Sequence, residues 1–118
     1  MMNFQNPLFI IPVLAGSSFV IIGTIMLKFP PKTINSIYGY RTSTSMKSQE
    51  RWDFAQCYSA KEMIKSGAIL ALTSPLSLFY NPTEAIGTAV GLGLMLATVI
   101  IWIVKTERAI SNRFGNTR

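Results

Sequence analysis

The chain has 118 residues, 49% of them hydrophobic and 14% charged, yet eleven Lys and Arg against five Asp and Glu leave a net charge of +6. There is no histidine, a single cysteine (Cys57) and no P-loop or EF-hand spacing, so an internal disulfide, a metal centre and phosphate-loop chemistry lack their ligands. No cofactor is expected, and no metal-binding or catalytic residue, because no Ser is accompanied by a base and an orienting acid at recognisable spacing.

Three stretches free of Asp, Glu, Lys and Arg set the architecture: residues 8–27, 66–83 and 85–104. About twenty such residues rising about 1.5 Å each cover about 30 Å, the thickness of a bilayer's hydrocarbon core. The expected fold is therefore all-α, one membrane domain of three transmembrane helices over residues 1–118. The first stretch contains Pro12, with Gly16 and Gly23 seven apart on one face, where small residues admit a neighbouring helix. It ends at Lys28-Phe29-Pro30-Pro31-Lys32, and a basic region is missing ahead of it, so it reads as a retained anchor rather than a removable signal.

Residues 28–65 form the long connection between the first two spans. From Thr33 to Lys47 they are rich in turn and hydroxyl residues with no apolar period, which predicts an ordered loop. Ser45 or Ser48 can cap a helix whose positive end would attract Glu50 and Asp53. Along it Trp52, Gln56, Ser59 and Met63 share a face. Trp52, Phe54 and Tyr58 suit headgroup depth, and Lys61 and Lys65 can snorkel to phosphates. This lead-in is expected to run on into span two as one long helix bent at Pro75.

The outer turn reads as Asn81 capping a helix with Pro82 first and Glu84 in capping-box position, making spans two and three an antiparallel hairpin. Gly87 and Gly91 in span three form a GxxxG pattern, which serves a homodimer or packing within the chain equally well. The tail, residues 105–118, is polar and is expected to fray after its first turns.

The cations orient the spans. Seven lie in the 28–65 connection, which nets +4; four lie in the tail, which nets +3; the link between spans two and three holds only Glu84. Lys and Arg in short loops stay on the cytoplasmic side, so the N-terminus is expected outside and the connection and C-terminus in the cytoplasm, in a plasma membrane. A basic balance in a soluble protein would suggest nucleic acid; here orientation and attraction to anionic membrane lipid account for it, and no nucleic-acid partner is expected. No ionisable residue falls inside the three stretches, which argues against an ion-coupled transporter.

The densest cluster of unusual residues is in the loop. Gly39 between two tyrosines suits a tight turn, and Arg41 can offer its planar fork to a carboxylate, a phosphate or helix-end carbonyls, with Glu50 a candidate partner. The run resembles the SdpI family of small bacterial membrane proteins, whose signature reads N-x-x-[YFI]-G-[YI]-R-T and then [ST]-[ML]-x-[SN]-x-E-x-W. Here it is met by Asn35, Tyr38, Gly39, Tyr40, Arg41, Thr42, Ser45, Met46, Ser48, Glu50 and Trp52. The following Phe54-Ala55-Gln56 and the Lys61 to Gly67 approach look like the shorter, YfhL-like members. The resemblance implies immunity: resistance to a toxic peptide secreted in sibling killing, by binding the peptide or shielding its target. It leaves as rivals a membrane adaptor that recruits a cytoplasmic regulator through the basic loop and, more weakly, a small transporter subunit.

Overall fold

The computed structural model describes residues 5–79 and 82–115, and helices account for most of them. Helix α1 (Pro7–Lys28) is capped by Asn6, whose side-chain oxygen accepts from the Leu8 N–H at 2.9 Å, while Pro7 sits where a missing N–H costs no hydrogen bond. Helix α2 (Gln49–Leu72) is capped by Ser48, which accepts from the Arg51 N–H. Helix α3 (Glu84–Phe114) is capped by Thr83 and stops at Gly115, where φ is +91°.

The helices pack through small residues. A Cβ on Gly16 would lie 2.5 Å from the Gly67 carbonyl oxygen, and one on Gly67 would lie 2.6 Å from that of Gly16, so α1 and α2 touch backbone to backbone. About two turns further along, Gly23 faces Ala60 and Ile64. Helix α3 lies parallel to α1, with Gly87 against Asn6 and Leu8 and Gly91 against Ile11 and Pro7. It runs antiparallel to α2: Trp102 Nε1 donates to the Ser59 carbonyl at 2.9 Å, and Arg51 reaches the Gly115 carbonyl. The GxxxG face of α3 is thus filled by α1 of the same chain, which leaves other faces for any homo-oligomer.

Among the described residues two helices, α1 and α3, are long and apolar enough to cross a bilayer, and only 22% and 11% of their apolar windows are covered by the rest of the chain. A core helix of a water-soluble protein would be mostly covered. Their outward residues include Leu14, Ile21, Ile22 and Ile25 on α1 and Leu96, Ile100 and Ile101 on α3.

The second apolar stretch departs from expectation. Residues 66–83 do not form one helix: α2 ends at Leu72, Thr73 turns, and Ser74–Leu78 is a 3₁₀ helix with Pro75 in its first turn. Proline lacks the N–H an α-helix needs, and Thr73 Oγ1 donates to the Leu70 carbonyl at 2.6 Å while Ser74 Oγ donates to that of Phe9 at 3.1 Å. The first half of α1 packs on Gly67 and Ala71 of the apolar stretch, but the partner of its second half is the charged lead-in around Ala60 and Ile64. Lys61, Glu62 and Lys65, which neighbour Ala60 and Ile64 along α2, are therefore level with the second half of α1, so ionisable residues do reach the level of an apolar helix. Glu62 is placed 4.0 Å from both Lys65 and Lys105.

Two smaller corrections concern α3. Its cap is Thr83, two residues after the position expected from Asn81, which lies outside the described residues. Its helix also continues through the polar tail to Phe114, because Thr106 and Ile110 are fully covered by the loop end of the molecule.

Candidate functional site

Residues 29–48 contain neither helix nor strand, yet their backbone is held at nearly every turn. Asn35 Oδ1 accepts from the N–H groups of Ile37 (2.9 Å) and Tyr38 (2.7 Å), an Asx turn that bends the chain back so that the Tyr38 hydroxyl donates to the Phe29 carbonyl at 2.8 Å. Gly39 follows with φ +113°; a Cβ there would meet Gln56 Oε1 at 2.5 Å and Pro31 Cγ at 2.8 Å, so both conformation and space demand glycine. The next peptide is clamped by the Gln56 side chain, which accepts from the Tyr40 N–H (2.6 Å) and donates to the Tyr40 carbonyl (2.8 Å).

Thr42 and Ser45 then cap one another. Ser45 Oγ accepts from the Thr42 N–H at 2.9 Å, and Thr42 Oγ1 accepts from the Ser45 N–H at 3.1 Å. The Ser45 hydroxyl is fully covered and lies 3.0 Å from the carbonyls of Tyr40 and Thr42, while the Met46 N–H donates to the Thr42 carbonyl. Trp52, from the first turn of α2, is fully buried and donates to the Pro31 carbonyl at 2.8 Å. Gln49 adds a bond to the Lys32 carbonyl. The loop is therefore a hydrogen-bonded brace between the end of α1 and the start of α2.

Its floor is the end of α3. The Tyr40 hydroxyl donates to Glu107 Oε2 at 2.7 Å, and Thr42 Oγ1 donates to the same oxygen at 3.0 Å. The Tyr40 ring stands edge-on to Trp102, 5.3 Å between centroids, and packs with Ala55 and Ile110 into a small core flanked by Phe54 and Phe114. Burial, followed by the hydrogen bond to Glu107 and the negative charge there, pushes the Tyr40 phenol well above its ordinary range and keeps it a donor. Outside this core Arg113 lies over the Phe54 ring at 5.1 Å.

The signature residues therefore divide. Asn35, Tyr38, Gly39, Tyr40, Thr42, Ser45 and Trp52 are tied into the brace, and Met46 is half-buried at its end. Arg41 does not pair with Glu50: its guanidinium donates to the Ser36 carbonyl at the exposed surface, and Glu50 stands exposed in the first turn of α2. Trp52 is a core residue rather than an interfacial anchor, because its indole N–H has a backbone partner inside the protein. Sequence reasoning passed over Glu107, Trp102, Thr106 and Ile110. For Trp102, Thr106 and Ile110 the signal was present, since positions 102, 106, 110 and 114 recur every four residues and form one helical face, whereas Glu107 lies outside that series.

The brace spends its polar groups internally, and no group of three or more His, Cys, Asp or Glu suited to a metal ion occurs among the described residues. Openings lie beside the brace and farther along the helices. One, of about 390 Å³, is a cleft beside the brace lined by Pro30, Pro31, Lys32, Gln49, Asp53 and Cys57. The other, of about 140 Å³, is a groove between α2 and α3 lined by Ser66, Ile69, Thr98, Ile101 and Lys105.

A sequence model of the SdpI/YfhL protein family matches residues 32–106, which take in the brace, all of α2 and most of α3. The chain is also similar to the uncharacterized protein YfhL of Bacillus subtilis (strain 168), with 52% identity over 98 residues covering 82% of this chain and 84% of that one. No solved structure matches it.

Proposed function

Because the chain belongs to the SdpI/YfhL family, we propose that it is a multi-pass plasma-membrane protein that confers resistance to a secreted toxic peptide, by binding the peptide or shielding its target. The observation that carries this reading is that the family match coincides with the brace and the helices it joins. In this reading all three helices cross the bilayer with the N-terminus outside, and the brace and the end of α3 lie in the cytoplasm. The one-sided placement of Lys and Arg supports that orientation. The peptide meets the outward faces of the helices, and the brace fixes their spacing from the cytoplasmic side. No covalent chemistry is required.

The test is survival of a sensitive host expressing the chain in the presence of the peptide. Protection by the wild-type chain is expected, and unchanged survival would defeat the reading for that peptide. Arg41→Ala is informative because Arg41 is exposed, so membrane abundance should be kept. Protection kept as well leaves the brace as scaffold; protection lost at normal abundance assigns Arg41 to a contact with peptide or partner. Capture of a soluble regulator by the loop, without protection, would favour an adaptor. For orientation, in a Cys57→Ser background, a cysteine at Thr83 should be labelled from outside and one at Thr44 should not.

A further inference from the structure

Beyond the brace's role in holding helices, one of its surfaces has no internal partner. Ile37 is 86% exposed and Phe29 70%, with Ile34 and Tyr38 each 36% exposed beside them. They are presented rigidly: the Tyr38 hydroxyl is bonded to the Phe29 carbonyl, Asn35 holds the turn under Ile37, and Arg41 holds the Ser36 carbonyl. Ile37 and Phe29 add little to a core, and apolar side chains fixed in an outward cluster mark a contact surface.

We propose that this cluster is a wedge that enters the surface of an anionic bilayer beside the end of α1. The proposal rests on the membrane reading and not on the resistance activity. Two observations select lipid over a soluble partner. First, Phe29 directly continues the outward apolar surface of α1 formed by Ile21, Ile22, Ile25 and Leu27, so the cluster begins where the apolar helix ends. Second, the segment from 28 to 49 carries Lys28, Lys32, Arg41 and Lys47 and no Asp or Glu, with Lys28, Lys32 and Arg41 exposed around the cluster. Basic residues framing apolar ones, with a tyrosine at the edge, match a surface of anionic phosphates over acyl chains. The wedge explains why the turn is braced: a flexible loop would lose more entropy on insertion than a preformed one. It also makes the position of the brace depend on lipid charge.

The test uses the full chain with Cys57→Ser, carrying a cysteine at Ile37 or, in a second variant, at Phe29, each labelled with an environment-sensitive fluorophore. The proteins are reconstituted in vesicles of phosphatidylcholine alone or mixed with phosphatidylglycerol, with iodide on both sides of the bilayer. Labels at Leu14, exposed on α1, and at Asn112, exposed on α3, serve as lipid and water references. The expected result is blue-shifted emission at both wedge positions, protection from iodide that increases with phosphatidylglycerol, and quenching by lipids spin-labelled near the headgroup. Iodide access equal to that at Asn112 in both vesicle types would overturn the wedge. Access in vesicles with protection in native membranes would also overturn it and assign the surface to a protein partner. A water-exposed label at Leu14 would instead overturn the membrane reading itself.

Discussion

At the loop end of the molecule Trp52, Ala55, Gln56, Thr106 and Ile110 are almost wholly covered, and polar side chains close on one another through Gln56, Ser45 and Glu107. At the other end Leu8 and Leu70 are buried beside a run of small or ring residues, Pro12, Gly16, Gly67, Gly87 and Gly91, while Leu14, Ile86 and Val90 face outward. On the proposed reading of the helices as membrane spans, the difference reflects two solvents. In water, burying large side chains drives packing, and a core of aromatic and aliphatic residues forms even around a loop. Beside lipid that drive is absent between helices, so contact depends on close backbone approach and a few hydrogen bonds, such as Asn6 to the Pro82 carbonyl at 3.0 Å.

The sharpest way to break this contrast is at Trp52. Trp52→Ala leaves a large cavity and an unpaired Pro31 carbonyl, and should lower stability by about 3–5 kcal/mol in thermal or denaturant unfolding. Gly16→Val tests the opposite end, where the new side chain must displace the Gly67 and Ala71 backbone. A loss of about 1–3 kcal/mol is expected, with Gly93→Ala, which meets nothing within 4 Å, as the neutral control. Equal effects at Gly16 and Gly93 would remove the argument for backbone packing.

Tyr40→Phe should cost about 1 kcal/mol near neutral pH, the net value of the bond to Glu107. Its sign with pH follows from the raised phenol. Below the ordinary tyrosine value of 10.0 the folded and unfolded phenols are both neutral and the bond contributes fully. Above it the unfolded phenol ionises first, so the wild-type advantage over Tyr40→Phe should shrink as pH rises past 10.0. A constant difference across that range would place the phenol outside the network. The smallest effect is expected for Glu62→Gln, about 0–1 kcal/mol, because its ion pairs are at 4.0 Å and both lysines are more than half exposed.

What was legible from the residues was local. The end of α1 at its prolines and a helix start at Ser45 or Ser48, which the structure places at Ser48, follow from prolines, hydroxyls and spacing within a few positions of each other. The partner of Tyr40 and Thr42 was not, because Glu107 lies 67 and 65 residues away and nothing near the loop points to it. Glu50 was the nearer acid, but it is exposed on α2 while Arg41 is held by Ser36. The tail is expected to fray after its first turns because it is polar, but the face formed by positions 102, 106, 110 and 114 is supported by residues of the loop and α2 and holds the helix to Phe114.

Composition and charge order by themselves determined an all-helical chain with three uncharged stretches, of which the first and third do form helices suited to a bilayer, because helix length, hydropathy and the sign of charges are properties of consecutive residues. Tertiary structure decided which helix pairs with α1, where α2 stops, and that Arg41 stays at the surface while Trp52 and Glu107 close the site. Those outcomes depend on which backbone comes within reach of which side chain, and only the packed chain brings residues 40, 56 and 107 together.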